Sequence, residues 1–400
     1  MKLKILYAST SPFVNTGYGK CTKYIVHGLK ERGFDIILYT PQLIDAIKEI
    51  NGILHLGSSS YPYDVELIYT YYRMFNRNLL ITHWDVWVLT GLTQKELNWV
   101  PYLPIDAELD QYTLEINNVV NATNVIAVVC QSKFGLKQVS KILEKDKPIF
   151  YVPHGVDLKI FKPCVDKRSR RRELQLPEDK VLFIFVGLNL SDRKGIPELI
   201  KAFSIAVHEY PDIRDIVMLI LWTNINPSLG QSYDIPRLVR RYGIEKYVFY
   251  PNVVPPHRFV SDEDLAKIMS VCDWFITCTM GEGFNLPLLE SLACGVPIVA
   301  PRHSTHIELV WDMSEYPYLR GLLYPVFYRR PMLWTPTHQE YYISDPNIVA
   351  EYISYAVDIA LDEKKYQQLS KHCREFTQLY SWDRVLDKWV EILKTIEELI

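Results

Sequence analysis

No stretch of this chain is apolar for long enough to cross a bilayer. The longest such run, Val181 to Leu190, is about half of what a spanning helix needs. Paired cysteine motifs are missing too. The seven cysteines are scattered, with no C-x-x-C spacing, and read as reduced, mostly buried thiols of a cytosolic protein rather than a disulfide framework. An excess of one charge sign is absent: 44 basic and 47 acidic residues leave a formal charge of -3. No whole-molecule attraction to nucleic acid or to an anionic membrane is therefore expected. Met1 to Tyr7 is too short for a secretory signal and reads as a first strand. Internal repeats are lacking beyond alternating β and α units.

What is present is ordinary for a globular protein. The 400 residues are 48% hydrophobic and 23% charged, enough for two domains that each bury a core. The most informative stretch is Gly281-Glu282-Gly283-Phe284-Asn285-Leu286-Pro287-Leu288-Leu289-Glu290. Asp273 to Cys278 leads in as a short β-prone run. Pro287 suits a first helical turn, and Leu288, Leu289, Leu292 and Ala293 form an apolar stripe. Gly295 closes that helix, and Val296 to Ala300 is the next strand. In open α/β sheets a strand end followed by a helix N-terminus is where ligands bind. Amides of residues 284 to 287, less the donor that Pro287 lacks, would face an anion there. Carboxylates on either side of such a site suit a ligand with hydroxyl-rich rings flanking its phosphates, as in a sugar nucleotide. Taken singly, Glu282 and Glu290 are equally explained as surface acids favoured by the helix dipole.

The pattern Gly-Glu-Gly-Phe-x-Leu-Pro-x-Leu-Glu, followed by Ala-Cys-Gly-x-Pro-Ile-Val-Ala, resembles the glutamate-x7-glutamate signature of retaining GT-B glycosyltransferases of family four. The resemblance implies that Glu282 contacts the transferred sugar and Glu290 the ribose, with the amides near Phe284, Asn285 and Leu286 at the phosphates. It extends over nearly the whole chain. Gly17-Tyr18-Gly19, after a first strand at Lys4 to Ala8, resembles the glycine-rich loop that approaches donor phosphates and acceptor. Leu79 to Trp87 is an apolar strand whose end carries His83, where the family places a histidine beside the sugar, and Asp85. Val152-Pro153-His154-Gly155-Val156-Asp157 resembles the exit from the first domain. Tyr380-Ser381-Trp382 resembles the crossover that returns the last helix to it. Lys194-Gly195 matches the family's lysine before a glycine. Leu188 and Asn189 depart from its usual arginine, which Arg193 replaces. Asn252 lies in a loop that the family uses near the nucleotide base.

Other features have plainer readings. Asp262-Glu263-Asp264 is a DxD, which helix capping and the dipole explain without a metal. His303 and His306 are closely spaced but have no third ligand at a recognisable spacing. The basic run Asp166 to Arg172 reads as a solvated linker helix, a phosphate or membrane-surface role being the alternative. Val65 to Tyr69 reads as a strand. Residues 320 to 345, rich in aromatics and proline, read as an insertion-like loop.

The expected fold is α/β: two Rossmann-like domains, at 1–160 and 161–380, facing an interdomain cleft, with a final helix at 381–400 crossing back to the first. The expected activity is retaining, metal-independent transfer of a sugar from a UDP- or GDP-linked donor to an acceptor hydroxyl, without a cofactor. The acceptor would be a carbohydrate or lipid-linked, with no nucleic acid partner and at most a peripheral contact at the inner membrane face of the cytoplasm. A GT-B epimerase or phosphorylase, or a sugar-nucleotide-binding module without turnover, are the alternatives.

Overall fold

The structure is a computed structural model that describes residues 2–14, 16–44, 46–58, 63–144, 146–225, 233–250, 261–312, 316–331 and 339–400. The chain divides into two compact units, one comprising residues 1–155, 331–340 and 382–400, the other residues 156–330 and 341–381.

The first unit is built on eight strands: β1 (Lys4–Ser9), β2 (Asp35–Ile44), β3 (Ile47–Ile50), β4 (Ile53–Ser58), β5 (Leu79–His83), β6 (Trp99–Leu103), β7 (Val128–Cys130) and β8 (Ile149–Tyr151). Their order is β3-β4-β2-β1-β5-β6-β7-β8, parallel except for the β3–β4 pair. Leu6, Ala8 and Leu80 from the central strands pack with Ile68, Tyr72 and Val119 from flanking helices. Burial on both faces explains why β1 and β5 read as unbroken apolar runs. The chain winds outward one way from β1 and the other way from β5, so these neighbours form the switch point of the sheet. Their ends lie side by side, Ser9 opposite His83. The helix Trp382–Glu397 belongs to this unit. Leu386 packs against Gly28, and Trp382 stacks on Tyr24 at 4.6 Å.

The second unit contains β9 (Val181–Val186), β10 (Val217–Trp222), β11 (Val248–Phe249), β12 (Trp274–Ile276), β13 (Ile298–Pro301) and β14 (Gly321–Tyr324). The order β11-β10-β9-β12-β13-β14 is parallel throughout. Its switch point falls between β9 and β12. Phe183, Phe185, Leu219 and Ile276 meet the helices Ile196–Glu209 and Pro346–Leu361 in one core. A separate two-stranded sheet pairs β15 (Tyr328–Pro331) with β16 (Glu340–Ile343).

Three local expectations give way. Val65 to Tyr69 is helical, within Val65–Met74. Asp64 caps it by accepting from the Leu67 amide at 3.0 Å, and Ile68 and Tyr72 bury at i, i+4. Helical periodicity with a cap outweighs the β-propensity of five residues. Gly17 and Gly19 are not in an open loop but in the first turn of the helix Gly17–Glu31, capped by Thr16. Gly19 is needed because a Cβ there would lie 1.9 Å from the Val14 carbonyl oxygen. The aromatic-rich stretch is not one loop, since it carries β14, β15 and β16. The Asp262 helix is capped by Ser261, which accepts from the Asp264 amide at 3.1 Å. Among the described residues, no helix is long and apolar enough to cross a membrane.

The basic run forms the helix Lys167–Glu173, and it is only partly solvated. Arg171 is 5% exposed. It donates to Asp273 at 2.6 Å and to the Val271 and Lys180 carbonyls at 2.9 Å. Lys167 reaches the same carboxylate at 3.3 Å, and the Leu182 amide donates to it at 2.9 Å. A carboxylate with only 15% of its side chain exposed, held this way, seats the helix on the entries to β9 and β12. Removing Arg171 leaves Asp273 with Lys167 and the Leu182 amide but takes away its nearest cation, at 2.6 Å. Arg171→Met is therefore expected to lower the unfolding free energy of the intact chain by about 3 kcal/mol in urea; a loss below about 0.5 kcal/mol would mean that the pair is dispensable.

Candidate functional site

In the second unit, the segments following β9 and β12 are tied together at the switch point. Gly195 makes this approach possible. Its φ of 61° is left-handed, and a Cβ would fall 2.1 Å from the Cys278 carbonyl oxygen. Around it, the Met280 amide donates to the Arg193 carbonyl at 2.7 Å. The Arg193 guanidinium donates to the Gly281 carbonyl at 2.5 Å. Into this seam projects Glu282, with 10% of its side chain exposed. Lys194 Nζ lies 2.7 Å from Oε1, and Arg193 Nη1 3.1 Å from Oε2. Burial by itself would push the Glu282 carboxyl up. The Lys194 ammonium and then the Arg193 guanidinium outweigh it and hold the carboxyl well below the usual carboxylate range.

A hydrogen-bonded ring supports Glu282 from behind. Its amide donates to Ser304 Oγ at 3.4 Å. Ser304 lies 3.1 Å from His303 Nδ1, and His303 Nε2 lies 3.1 Å from the Thr279 carbonyl. A carbonyl only accepts, so Nε2 carries the imidazole proton and Ser304 donates to Nδ1. Thr279 Oγ1 returns to Glu282 Oε1 at 3.1 Å. Tyr342 of β16 stacks on the His303 ring, with centroids 5.4 Å apart. Burial pushes His303 down to about 3 and His306 down to about 4, so both are neutral at pH 7.

The helix Leu286–Ala293 begins at Asn285, whose φ of 72° is left-handed. The Asn285 side chain accepts from the Leu288 amide at 3.3 Å, and its Nδ2 donates to His306 Nε2 at 3.2 Å. Left-handed non-glycine residues are unfavourable by about 1 kcal/mol and persist where surroundings enforce them. Here His306 and the cap do so. Phe284 and Leu286 are buried at the helix start, and Phe284 lies 6.2 Å from the Tyr380 ring. Glu290 is 2% exposed, beyond the first turn. Glu282, Glu290, Lys194, Arg193, Phe284, Asn285 and Leu286 are thus gathered around one strand-to-helix junction. Thr279, His303, Ser304 and His306 belong with them, and their functional place was not read from sequence. The signal available was position, since 303–306 follow a strand at its carboxyl end. Leu188 and Asn189 contribute no cation. Asn189 is buried and bonded to Asn224 and Tyr233. Asn252 lies outside the described residues.

His83, Gly17 and Gly19 belong to the first unit. His83 is fully buried at the end of β5, its Nδ1 3.0 Å from the Tyr7 hydroxyl. Tyr18, next to both glycines, meets its ring edge-on at 5.0 Å. Burial, then the neighbouring His154, pushes His83 well below its ordinary value, so it stays neutral. Asp85 borders a small hollow with Trp87, Asp106 and Gln339.

Comparisons with known proteins bear on the family and the fold. Residues 166–325 match the family described as "Glycosyl transferases group 1". D-inositol 3-phosphate glycosyltransferase 2 of Catenulispora acidiphila is 30% identical over 155 residues, 37% of this chain and 33% of that protein. D-inositol 3-phosphate glycosyltransferase of Saccharomonospora viridis is 26% identical over 244 residues, 61% of this chain and 49% of that protein. The chain spans about a third to a half of the curated relatives that it matches. Sucrose-phosphate synthase of Thermosynechococcus elongatus superposes over 100% of both chains at TM-score 0.76 and 18% identity. Anabaena HepE in complex with UDP-glucose superposes over 98% of this chain and 100% of that one, at TM-score 0.72 and 16% identity. The fold is therefore α/β of the GT-B class, with two Rossmann-like units.

Because the folded Glu282 carboxyl is depressed, its contribution to stability is present above its ordinary value of 4.5 and is lost as pH falls through the folded value. The stability gap between the wild type and Glu282→Gln is expected to be widest near pH 7 and to narrow below pH 4.5. Urea midpoints measured across that range would show a constant gap if the ion pairs did not form.

Proposed function

We propose that this chain transfers a sugar from a nucleotide-diphosphate sugar to an acceptor hydroxyl. The observation that carries the proposal is the grip of Lys194 and Arg193 on a buried Glu282, directly before a helix N-terminus that bears Glu290. Two cations beside a carboxylate suit a ligand that joins a diphosphate to a polyol. When it binds, Lys194 and Arg193 turn toward the phosphates, and Glu282 accepts hydrogen bonds from sugar hydroxyls. Glu290 takes the ribose hydroxyls. Supporting this are the group 1 match over residues 166–325 and the UDP-glucose held by HepE, a protein of the same fold.

In the proposed reaction the bond from the anomeric carbon to the diphosphate breaks, and one from that carbon to the acceptor oxygen forms. A donor phosphate oxygen takes the acceptor proton, and nucleoside diphosphate leaves. The anomeric configuration is retained, as in family four. Lys194 and Arg193 oppose the charge that grows on the leaving diphosphate, so metal is not required in this scheme. His83 serves the first unit as a neutral hydrogen-bonding group rather than an acid. The acceptor is a carbohydrate or a lipid-linked carbohydrate. The names of the matched relatives make inositol phosphate a reasonable first compound to test.

Incubation with UDP- and GDP-sugars, with and without acceptors, should release nucleoside diphosphate in the presence of acceptor. Glu282→Ala and Lys194→Ala are each expected to lower kcat by about a hundredfold or more. Glu290→Ala is expected chiefly to raise the donor KM, by about tenfold. Nucleotide-sugar binding without release under every condition would favour a binding protein instead. The activity profiles of the wild type and His83→Gln are expected to run parallel between about pH 5.5 and 8, because a neutral buried imidazole does not titrate there. A wild-type inflection near pH 6.5 that His83→Gln removes would contradict that role.

A further inference from the structure

The separate β15–β16 sheet brings a third cation to the seam between the segments after β9 and β12. Arg330 Nη2 on β15 lies 3.3 Å from Asp192 Oδ2 and 3.5 Å from Met280 Sδ. Asp192 directly precedes Arg193. The Met280 amide is the donor that ties the two segments, and Glu282 follows two residues on. Arg193, Lys194 and Arg330 thus pair with the carboxylates of Glu282 and Asp192, and the half-buried Glu198 carboxyl also feels the Arg330 charge.

The ion pair of Arg330 does little for the fold. Its side chain is 39% exposed and that of Asp192 43%, and a solvent-shared pair contributes little to stability. Asp192 also accepts from the Tyr233 hydroxyl, so it keeps a partner if Arg330 turns away. A guanidinium on a long stem, held by an exposed ion pair to the residue that precedes Arg193 and Lys194 in the chain, is suited to close on a phosphate with its planar fork. The same sheet supplies Tyr342, stacked on His303 behind Glu282. Both strands therefore attend the same junction.

We propose that Arg330 is a third phosphate-binding residue of this site and contacts the diphosphate of a bound sugar nucleotide. The inference rests on the sugar-nucleotide reading given above. It is tested by calorimetric titration of the full chain with UDP, GDP and the corresponding monophosphates. Arg330→Ala is expected to weaken diphosphate binding by about tenfold and monophosphate binding by about twofold or less, and Arg330→Lys to recover part of the loss. Melting temperatures of both variants should stay within about 2 °C of the wild type. Unchanged diphosphate affinity in Arg330→Ala would overturn the proposal, and so would an equal loss for diphosphate and monophosphate. Should Arg330→Ala melt early, Arg330→Lys and Arg330→Gln carry the same comparison. A wild type that binds neither UDP nor GDP would instead remove the sugar-nucleotide reading, and this inference with it.

Discussion

A carboxylate buried at the end of a sheet must be given cations, and much of the candidate site follows from meeting that need at Glu282. Stranding an uncompensated charge at such a position costs about 3–5 kcal/mol. Lys194 and Arg193 remove the problem at 2.7 and 3.1 Å. To do so, the segments after β9 and β12 must come within hydrogen-bonding distance. That closeness is what makes a side chain at Gly195 impossible and what draws the Met280 amide onto the Arg193 carbonyl. The cations remain 23% exposed. They stay partly hydrated while the carboxylate is nearly covered, an asymmetry that suits exchange of one anion for another.

The backbone strain of the site is placed with the same economy. Asn285 and Ser304 both have positive φ, at 72° and 46°. Each serves Glu282 or its helix: Ser304 accepts from the Glu282 amide, and Asn285 caps the helix that carries Glu290. His303 and His306 hold these two residues through neutral imidazoles. Burial keeps the rings uncharged, so the cations near Glu282 are not joined by two more. The first unit uses a comparable arrangement at its own switch point, where Ser9 and His83 end neighbouring strands and Tyr7, Tyr18 and Tyr102 surround the imidazole.

Much of this is legible in the sequence alone. Apolar runs such as Val181–Val186 announced strands buried on both faces, and Pro287 and Gly295 bounded a helix correctly. Local signals failed where five or six residues were weighed alone. Val65 to Tyr69 looked β-prone, yet the Asp64 cap and the Ile68–Tyr72 face made it helical. Arg171 looked like one of several solvated arginines, and only the distant Asp273 buried it. Ser304 carries no signal of its own, and His303 and His306 read only as an incomplete metal pair, because they lie some twenty residues along the chain from Glu282.

By itself, the sequence determined the alternation of strands and helices, the strand-to-helix junction after Glu282, and the place of Glu290, eight positions on, inside the helix that follows. These are local matters, set by periodicity, capping and a few glycines and prolines. Only the tertiary structure decided which strands are neighbours. With β9 beside β12, two segments about ninety residues apart share one seam, and Lys194, Arg193, Ser304 and Arg330 become neighbours of the 280–282 segment. The reason is physical: parallel pairing joins strands through crossovers of no fixed length, so nothing in the spacing along the chain records which carboxylate will meet which cation.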